Sequence, residues 1–219
     1  MKPISKTVQV SVWGGVLLTV VLIFVLFLKE RKTTVASSSL PVLSQVPEFT
    51  LTNQHGVPIT LADLKGRVWI ADIVFSRCAG PCPKMTQTMS GLQGLWGDQP
   101  VSFVTLTTDP EFDTSDVLKK FGEQFGAVSQ NWLFLTGPKR EIAKVAIEGL
   151  KLTAVEKPEP DQTNDFDLFI HSTSFVLVDK QGQVRGWRDQ HNVIHAGFDS
   201  TDPNLKAQIK PAVEALLKE

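Results

Sequence analysis

Apolar positions along the chain follow two patterns. The first is a single uninterrupted run: the 22 residues between Lys6 and Lys29 carry no charge, and from Val16 to Leu28 only Thr19 is polar. At about 1.5 Å per residue, such a helix spans roughly the ~30 Å hydrocarbon layer of a bilayer. A cleaved leader has a shorter apolar region of about 7–15 residues, so the run predicts an uncleaved transmembrane anchor over residues 8–28, behind a tail at 1–7. Basic residues flank it on both sides, Lys2 and Lys6 before and Lys29, Arg31 and Lys32 after, and do not decide its orientation. Residues 33–45, TTVASSSLPVLSQ, are small and polar with no regular period. They predict a flexible linker over 29–45 leading to one domain at 46–219. No Arg- and Ser-rich presequence precedes the run, which points to a bacterial inner membrane with the domain on the periplasmic side.

The second pattern is a series of short runs whose period switches between two and 3.6. Residues 49–51 and 59–61 alternate around Asn53-Gln54-His55-Gly56 and predict a hairpin with His55 in its turn. A buried strand at 68–75 and a helix at 83–95 follow, then a strand at 101–107 and a helix capped by Asp113 or Thr114 that runs to Phe125. A third strand at 132–135 leads into a helix ending near Glu148, and residues 149–167 read as a long inserted loop. A hairpin at 174–178 and 183–187 precedes a last helix, capped by Asp202 and kinked or divided by Pro211. This order predicts an α/β, thioredoxin-like fold with an extra N-terminal β-hairpin and an inserted loop.

Charge removes one class of function: 22 Lys and Arg against 23 Asp and Glu give a net charge of −1 and no electrostatic case for nucleic acid. Composition adds a second limit, because two cysteines cannot build a disulfide scaffold. Both lie in FSRCAGPCPKMT at residues 75–86, where strand passes into helix. A helix N-terminus presents unpaired N–H groups and the positive end of the dipole, so Cys78 and Cys82 are expected to ionise readily. Four residues apart on a helical turn, their Cβ atoms lie roughly 5–6 Å from one another. That spacing suits either a shared metal ion or a disulfide, and a loop this short gives a disulfide little stabilising purpose.

Other polar residues read more plainly. Asp72 interrupts the strand before the cysteines and reads as hydrogen-bonded structure, with a tuned neighbour of the thiols as the alternative. Asp109 reads as an Asp-Pro turn, the alternative being a place near the cysteines at the sheet edge where α/β sites collect. His55 reads as a solvated turn residue. His191 and His195 read as part of a solvated loop, with ligation the weaker alternative, and His171 taken alone is a satisfied histidine at a strand end.

Four segments together resemble the Sco (SenC-type) proteins of cytochrome oxidase assembly: Cys78-Ala79-Gly80-Pro81-Cys82-Pro83 after a strand, TTDPEFDTSDVLKKF at 107–121, NWLFLTG at 131–137 and HSTSFVLVDKQGQVRGW at 171–187. The resemblance covers residues 46–219, and a single N-terminal anchor also belongs to it. It implies a thioredoxin fold that binds copper, as Cu(I) or Cu(II), through Cys78, Cys82 and His171. Two thiolates and an imidazole form a soft set that favours Cu(I) and accepts Cu(II) with an added oxygen ligand, whereas structural zinc wants four protein ligands. The chain departs from the family pattern in having no acidic residue between the cysteines and Ile170 before the histidine; both alter the charge around the metal.

The implied role is a copper chaperone, tethered to the membrane by its N-terminal helix, that takes copper from a donor protein and delivers it to the dinuclear copper site of cytochrome c oxidase subunit two. The alternative is a thiol-disulfide oxidoreductase that reduces the target's cysteines, with Cys78 and Cys82 cycling between dithiol and disulfide. A peroxiredoxin-like sensor ranks last, because the Thr-x-x-Cys pattern is missing.

Overall fold

A computed structural model of the chain describes residues 13–21, 40–96, 98–127, 131–156, 169–189 and 191–219, with 154–156 and 169–171 described by their backbone. The chain divides into two compact units, Met1–Thr34 and Val35–Glu219. In the first, residues 13–21 form a helix, α1, whose apolar side chains, Trp13 and Leu18 among them, are exposed. The rest of the expected 8–28 span, the 1–7 tail and residues 29–39 of the linker lie outside the described residues. Among the described residues no helix is long and apolar enough to cross a membrane.

The second unit opens with a correction. Val42–Gln45, expected to belong to the flexible linker, form strand β1, antiparallel to a strand late in the chain. Small polar residues disguised it, but Leu43 packs against the core and the Ser44 hydroxyl donates to the Gly149 carbonyl at 2.6 Å. Strands β2 (Thr50–Asn53) and β3 (Pro58–Thr60) make the expected hairpin, and His55 lies exposed in its turn. There the Asn53 side chain accepts the N–H groups of His55 and Val57 at 2.8 and 3.0 Å.

After the short helix α2 (Leu61–Leu64) come β4 (Val68–Val74), α3 (Cys82–Gln93), β5 (Val101–Thr107), α4 (Ser115–Gln124) and β6 (Trp132–Thr136). The three strands are parallel to one another, as strand-helix-strand crossovers require. Helix α5 (Lys139–Ala143) continues into a π-helical turn, Lys144–Gly149. Part of the expected 149–167 loop is instead strand β7 (Ala154–Glu156), which pairs with β8 (Phe169–His171) in a separate two-stranded ribbon. Residues 157–168 lie outside the described part.

Strand β9 (Ser174–Val178) then lies antiparallel to β4, and β10 (Gln183–Arg185) pairs with β9. Two two-residue strands, β11 (Trp187–Arg188) and β12 (Ile194–His195), form a small hairpin, and β13 (Phe198–Asp199) pairs with the start of β9. The main sheet runs β1-β10-β9-β4-β5-β6-β2-β3, a mixed α/β sheet of thioredoxin-like type with the expected N-terminal hairpin at one edge.

Helix α6 (Leu205–Lys218) ends the chain's described structure and departs from expectation twice. Its cap position is Asn204, while Asp202 sits two residues earlier and accepts the Asn204 N–H at 2.7 Å and the Gln208 amide at 2.8 Å. Pro211 does not divide it, because Ile209, Ala212, Val213 and Leu216 are all buried and hold both halves to the core.

Strand β4 is buried along its whole length, since alternate residues feed opposite faces of the sheet. Ile70 and Val74 join Met85 and Met89 of α3, Leu118 and Phe121 of α4 and Ile209 of α6 on one face. Trp69, Ala71 and Ile73 join Leu51, Leu61, Ile142 and Val145 on the other. At about 1.5–3 kcal/mol per large buried side chain, this packing outweighs individual hydrogen bonds of about 1 kcal/mol.

Candidate metal centre

The cysteine loop begins where β4 stops. A turn from Phe75 closes when the Cys78 N–H donates to the Phe75 carbonyl at 3.2 Å. Gly80 then donates its N–H to Cys78 Sγ at 3.3 Å, and Cys82 is the first residue of α3, with Pro81 before it and Pro83 in the first turn. Both cysteines are reduced and buried, and their thiols are hydrogen-bonded to each other.

Cys82 corrects the expectation of easy ionisation. Burial pushes its thiol far up from the ordinary value, the hydrogen bond and charge of Cys78 push further, a backbone hydrogen bond with Phe75 opposes them, and the charge of Asp72 adds to the rise. A helix dipole contributes only about 0.3–1 kcal/mol, and full burial of a thiolate costs more than that. Asp72 is fully buried in β4, opposite Thr105 of β5, and its charge is the smallest of the effects on the Cys82 thiol.

Side chains from the turn, from the end of β5 and from just beyond it hold the loop in place. Ser76 donates both its N–H, at 3.1 Å, and its hydroxyl to the carboxylate of Asp113, which also accepts the Thr107 hydroxyl. Arg77 donates twice to Asp109 Oδ2, at 2.6 and 3.2 Å, and its guanidinium lies 4.2 Å from the centre of the Phe112 ring. Asp109 is therefore more than an Asp-Pro turn. Asp113, one of two expected helix caps, leaves that role to Thr114, which accepts the Val117 N–H. The available signal was the polar run Thr107-Thr108-Asp109 at the end of a strand, with Asp113 four residues on.

His171 closes β8 and is paired through its backbone with Ala154. The antiparallel register Trp69↔Val178, Ile70↔Leu177, Ala71↔Val176 brings the start of β9 to the sheet edge where β4 ends, so the backbone just after His171 and the cysteine loop share that edge. The side chain of His171 lies outside the described part. Among the described residues no three of His, Cys, Asp or Glu gather closely enough to hold a metal ion. His195 is engaged elsewhere: its Nε2 lies 3.0 Å from Asp189 Oδ2, and its ring stacks on Trp187 with centroids 4.5 Å apart. That hydrogen bond pulls the Asp189 carboxyl below its ordinary value. His191 is exposed in the same turn, where its N–H donates to Asp189 at 2.9 Å.

A thioredoxin-like sheet with a buried pair of reduced cysteines at the strand-to-helix junction defines a thiol protein. Its relatives narrow the class: residues 40–200 match the SCO1/SenC family model, and the chain belongs to that family. The SCO1 protein homolog of Bacillus subtilis (strain 168) is 35% identical over 170 residues, covering 76% of this chain and 84% of that protein. A SCO1/SenC family lipoprotein from Bacillus anthracis str. Ames superposes with a TM-score of 0.66 at 30% identity, over 82% of this chain and 97% of its own. BsSco, a member of the Sco family of cytochrome c oxidase assembly proteins with a disulfide switch, superposes at 0.64 and 32% identity, over 81% and 96%. Copper-bound ScoI of Bradyrhizobium japonicum shares the fold at a TM-score of 0.60 and 22% identity, over 78% of this chain and 98% of its own.

Proposed function

We propose that the chain is a membrane-tethered copper carrier of cytochrome c oxidase assembly. Cys78, Cys82 and His171 hold the ion as cargo, received from a donor protein and passed to the dinuclear copper site of subunit two. The observation that carries this reading is the pair of mutually hydrogen-bonded, reduced thiols at the sheet edge where the chain leaves β8. Two sulfurs and an imidazole form a soft donor set suited to Cu(I). Because burial holds the Cys82 thiol in its protonated form, a cation arriving at the site displaces a proton, and affinity should rise with pH. The uncharged run at 8–28 would anchor the protein in a bacterial inner membrane with its domain on the periplasmic side. The B. anthracis relative, a lipoprotein, is consistent with a membrane-held domain.

The thiol contact also favours a second reading, in which the pair reduces a target disulfide. Cys78 and Cys82 then give up two electrons and two protons as their S–S bond closes, and the target disulfide takes them up to become two thiols. The disulfide switch of BsSco lends this weight.

The test is an anaerobic titration of the reduced full chain with Cu(I) against a competing chelator, for the parent and for His171→Ala. One tight equivalent that weakens by about tenfold or more without the imidazole is the result expected of a three-ligand carrier. Weak binding, or binding indifferent to His171, rejects the carrier and moves the reading to the reductase.

A further inference from the structure

At the thiol edge, Asp113 joins the cysteine turn to the sheet through buried hydrogen bonds. It is fully buried, and its two oxygens receive three hydrogen bonds, one from the Thr107 hydroxyl on β5 and two from Ser76. Ser76 stands two residues before Cys78, inside the turn closed by the Cys78 N–H on the Phe75 carbonyl. Held at both its N–H and its hydroxyl, Ser76 keeps little freedom to rotate.

We propose that Asp113 is the positioning residue of the cysteine loop: acting through Ser76, it holds the Phe75–Cys78 turn in the geometry that sets the reactivity of Cys78 toward Cys82. A backbone bond at 3.2 Å closes this turn, and the Cys78 sulfur lies beside the Gly80 N–H. A disulfide needs its two Cβ atoms within about 3.5–4.5 Å, so a small rotation of the turn moves the pair out of bonding range. The Arg77 to Asp109 pair restrains the next residue but leaves the guanidinium partly exposed, whereas Asp113 is sealed. Chain order supports the arrangement as well. Asp113 lies one residue before the Thr114 cap of α4, and its own N–H donates to the Asp109 carbonyl at 2.8 Å, so the clamp is built on a rigid helix start.

The proposal rests on Cys78 and Cys82 being the working thiols and does not require copper. If Asp113 were only structural, its two hydroxyl donors would matter alike; if it positions the thiols, the Ser76 branch carries the larger effect, because the Thr107 hydroxyl, which also accepts the Asp109 N–H at 2.9 Å, reaches the loop only indirectly through the Arg77 to Asp109 pair. The experiment compares Ser76→Ala with Thr107→Val in the full chain, without metal. One readout is the equilibrium of the native pair with glutathione, in which two thiols lose two protons and two electrons to form one S–S bond while glutathione disulfide becomes two thiols. The other is the alkylation rate of Cys78 by iodoacetamide in a Cys82→Ser background. The expected result is a change of threefold or more in both readouts for Ser76→Ala, and less than twofold for Thr107→Val. Asp113→Ala should behave like Ser76→Ala; if it fails to fold, the serine variant decides. A smaller change in Ser76→Ala, or an equal change in Thr107→Val, overturns the proposal. Because neither assay contains copper, a failure of the carrier reading would leave this result standing.

Discussion

Two buried aspartates organise turns at opposite ends of the sheet, and the protein neutralises them differently. At the end where β9 turns into β10, Asp179 accepts the N–H groups of Gln181 and Gln183, both at 2.9 Å, and faces Arg185 at 2.8 Å. The same guanidinium reaches the Leu40 carbonyl at 2.9 Å and both oxygens of Glu219, at 2.6 and 3.0 Å. Burial pulls Arg185 toward its neutral form, but the bonds from Glu219 and Asp179 overcome this and raise it on balance. At the thiol end, Asp113 is met by hydroxyls and an N–H, and the cation of that loop, Arg77, is committed to Asp109. The structural end thus carries a compensated ion pair. The thiol end carries a carboxylate held by neutral donors, which can share or yield a proton without breaking an ion pair.

The largest effect should come from the structural end. Arg185→Met leaves Asp179 buried and uncompensated, and is expected to cost about 3–5 kcal/mol in urea unfolding. It should leave the alkylation rate of Cys78 unchanged, because the side-chain hydrogen bonds of Arg185 go to Leu40, Asp179 and Glu219 and not to the cysteine turn. A loss below about 1 kcal/mol, or an altered thiol, would mean that the two ends do not divide stability and chemistry in this way.

The next effect sharpens the thiol end. Asp113→Ala strands two hydroxyls and an N–H and should cost about 2–3 kcal/mol. Asp113→Asn should cost less than about 1 kcal/mol. Its amide oxygen can accept from the Ser76 N–H and from Thr107 while its NH₂ donates to the Ser76 hydroxyl, so the geometry survives without the charge. Equal losses for the two variants in urea titrations would show that the charge itself holds the loop.

The contrast also marks what could be read from the sequence. Strands β4 and β5 were legible because their apolar runs are long, and the cysteine pair because its place between a strand and a helix is local. Strand β1 was not, since Val42–Gln45 look like linker until β10, some 140 residues later, supplies their hydrogen bonds. The ribbon of β7 and β8 was missed for the same reason: three-residue strands have no detectable period and exist only as a pair. The ionisation of Cys82 was misjudged because a local rule, the helix terminus, met a tertiary fact, burial. Asp113 was visible as a residue and hidden as a clamp, because its partner Ser76 is 37 positions away.

The smallest effect is a slope against pH, and it bears directly on how Asp113 is held. Burial pushes its carboxyl above the ordinary value; the bonds from Ser76 and Thr107 pull it back, and the charge of Asp109 adds to the rise. In the unfolded chain an aspartate releases its proton near pH ~3.9. Between that pH and the raised folded value, the native state keeps a proton that the unfolded state has lost, so this group's contribution falls as pH rises through the window and is constant above it. Asp113→Asn has no such dependence. Lowering the pH through the window should therefore favour the parent over the variant, and the difference should be flat at neutral pH. Asp63 and Asp189 shift the opposite way, each lowered first by a side-chain hydrogen bond, from Thr60 and His195, and they cancel between the two proteins. Urea midpoints collected for both from neutral to about pH 4 give the difference curve. If it stays level, or tilts toward the variant in acid, then the hydroxyls alone hold Asp113 as firmly ionised as a cation would, and the distinction between the two ends of the sheet collapses.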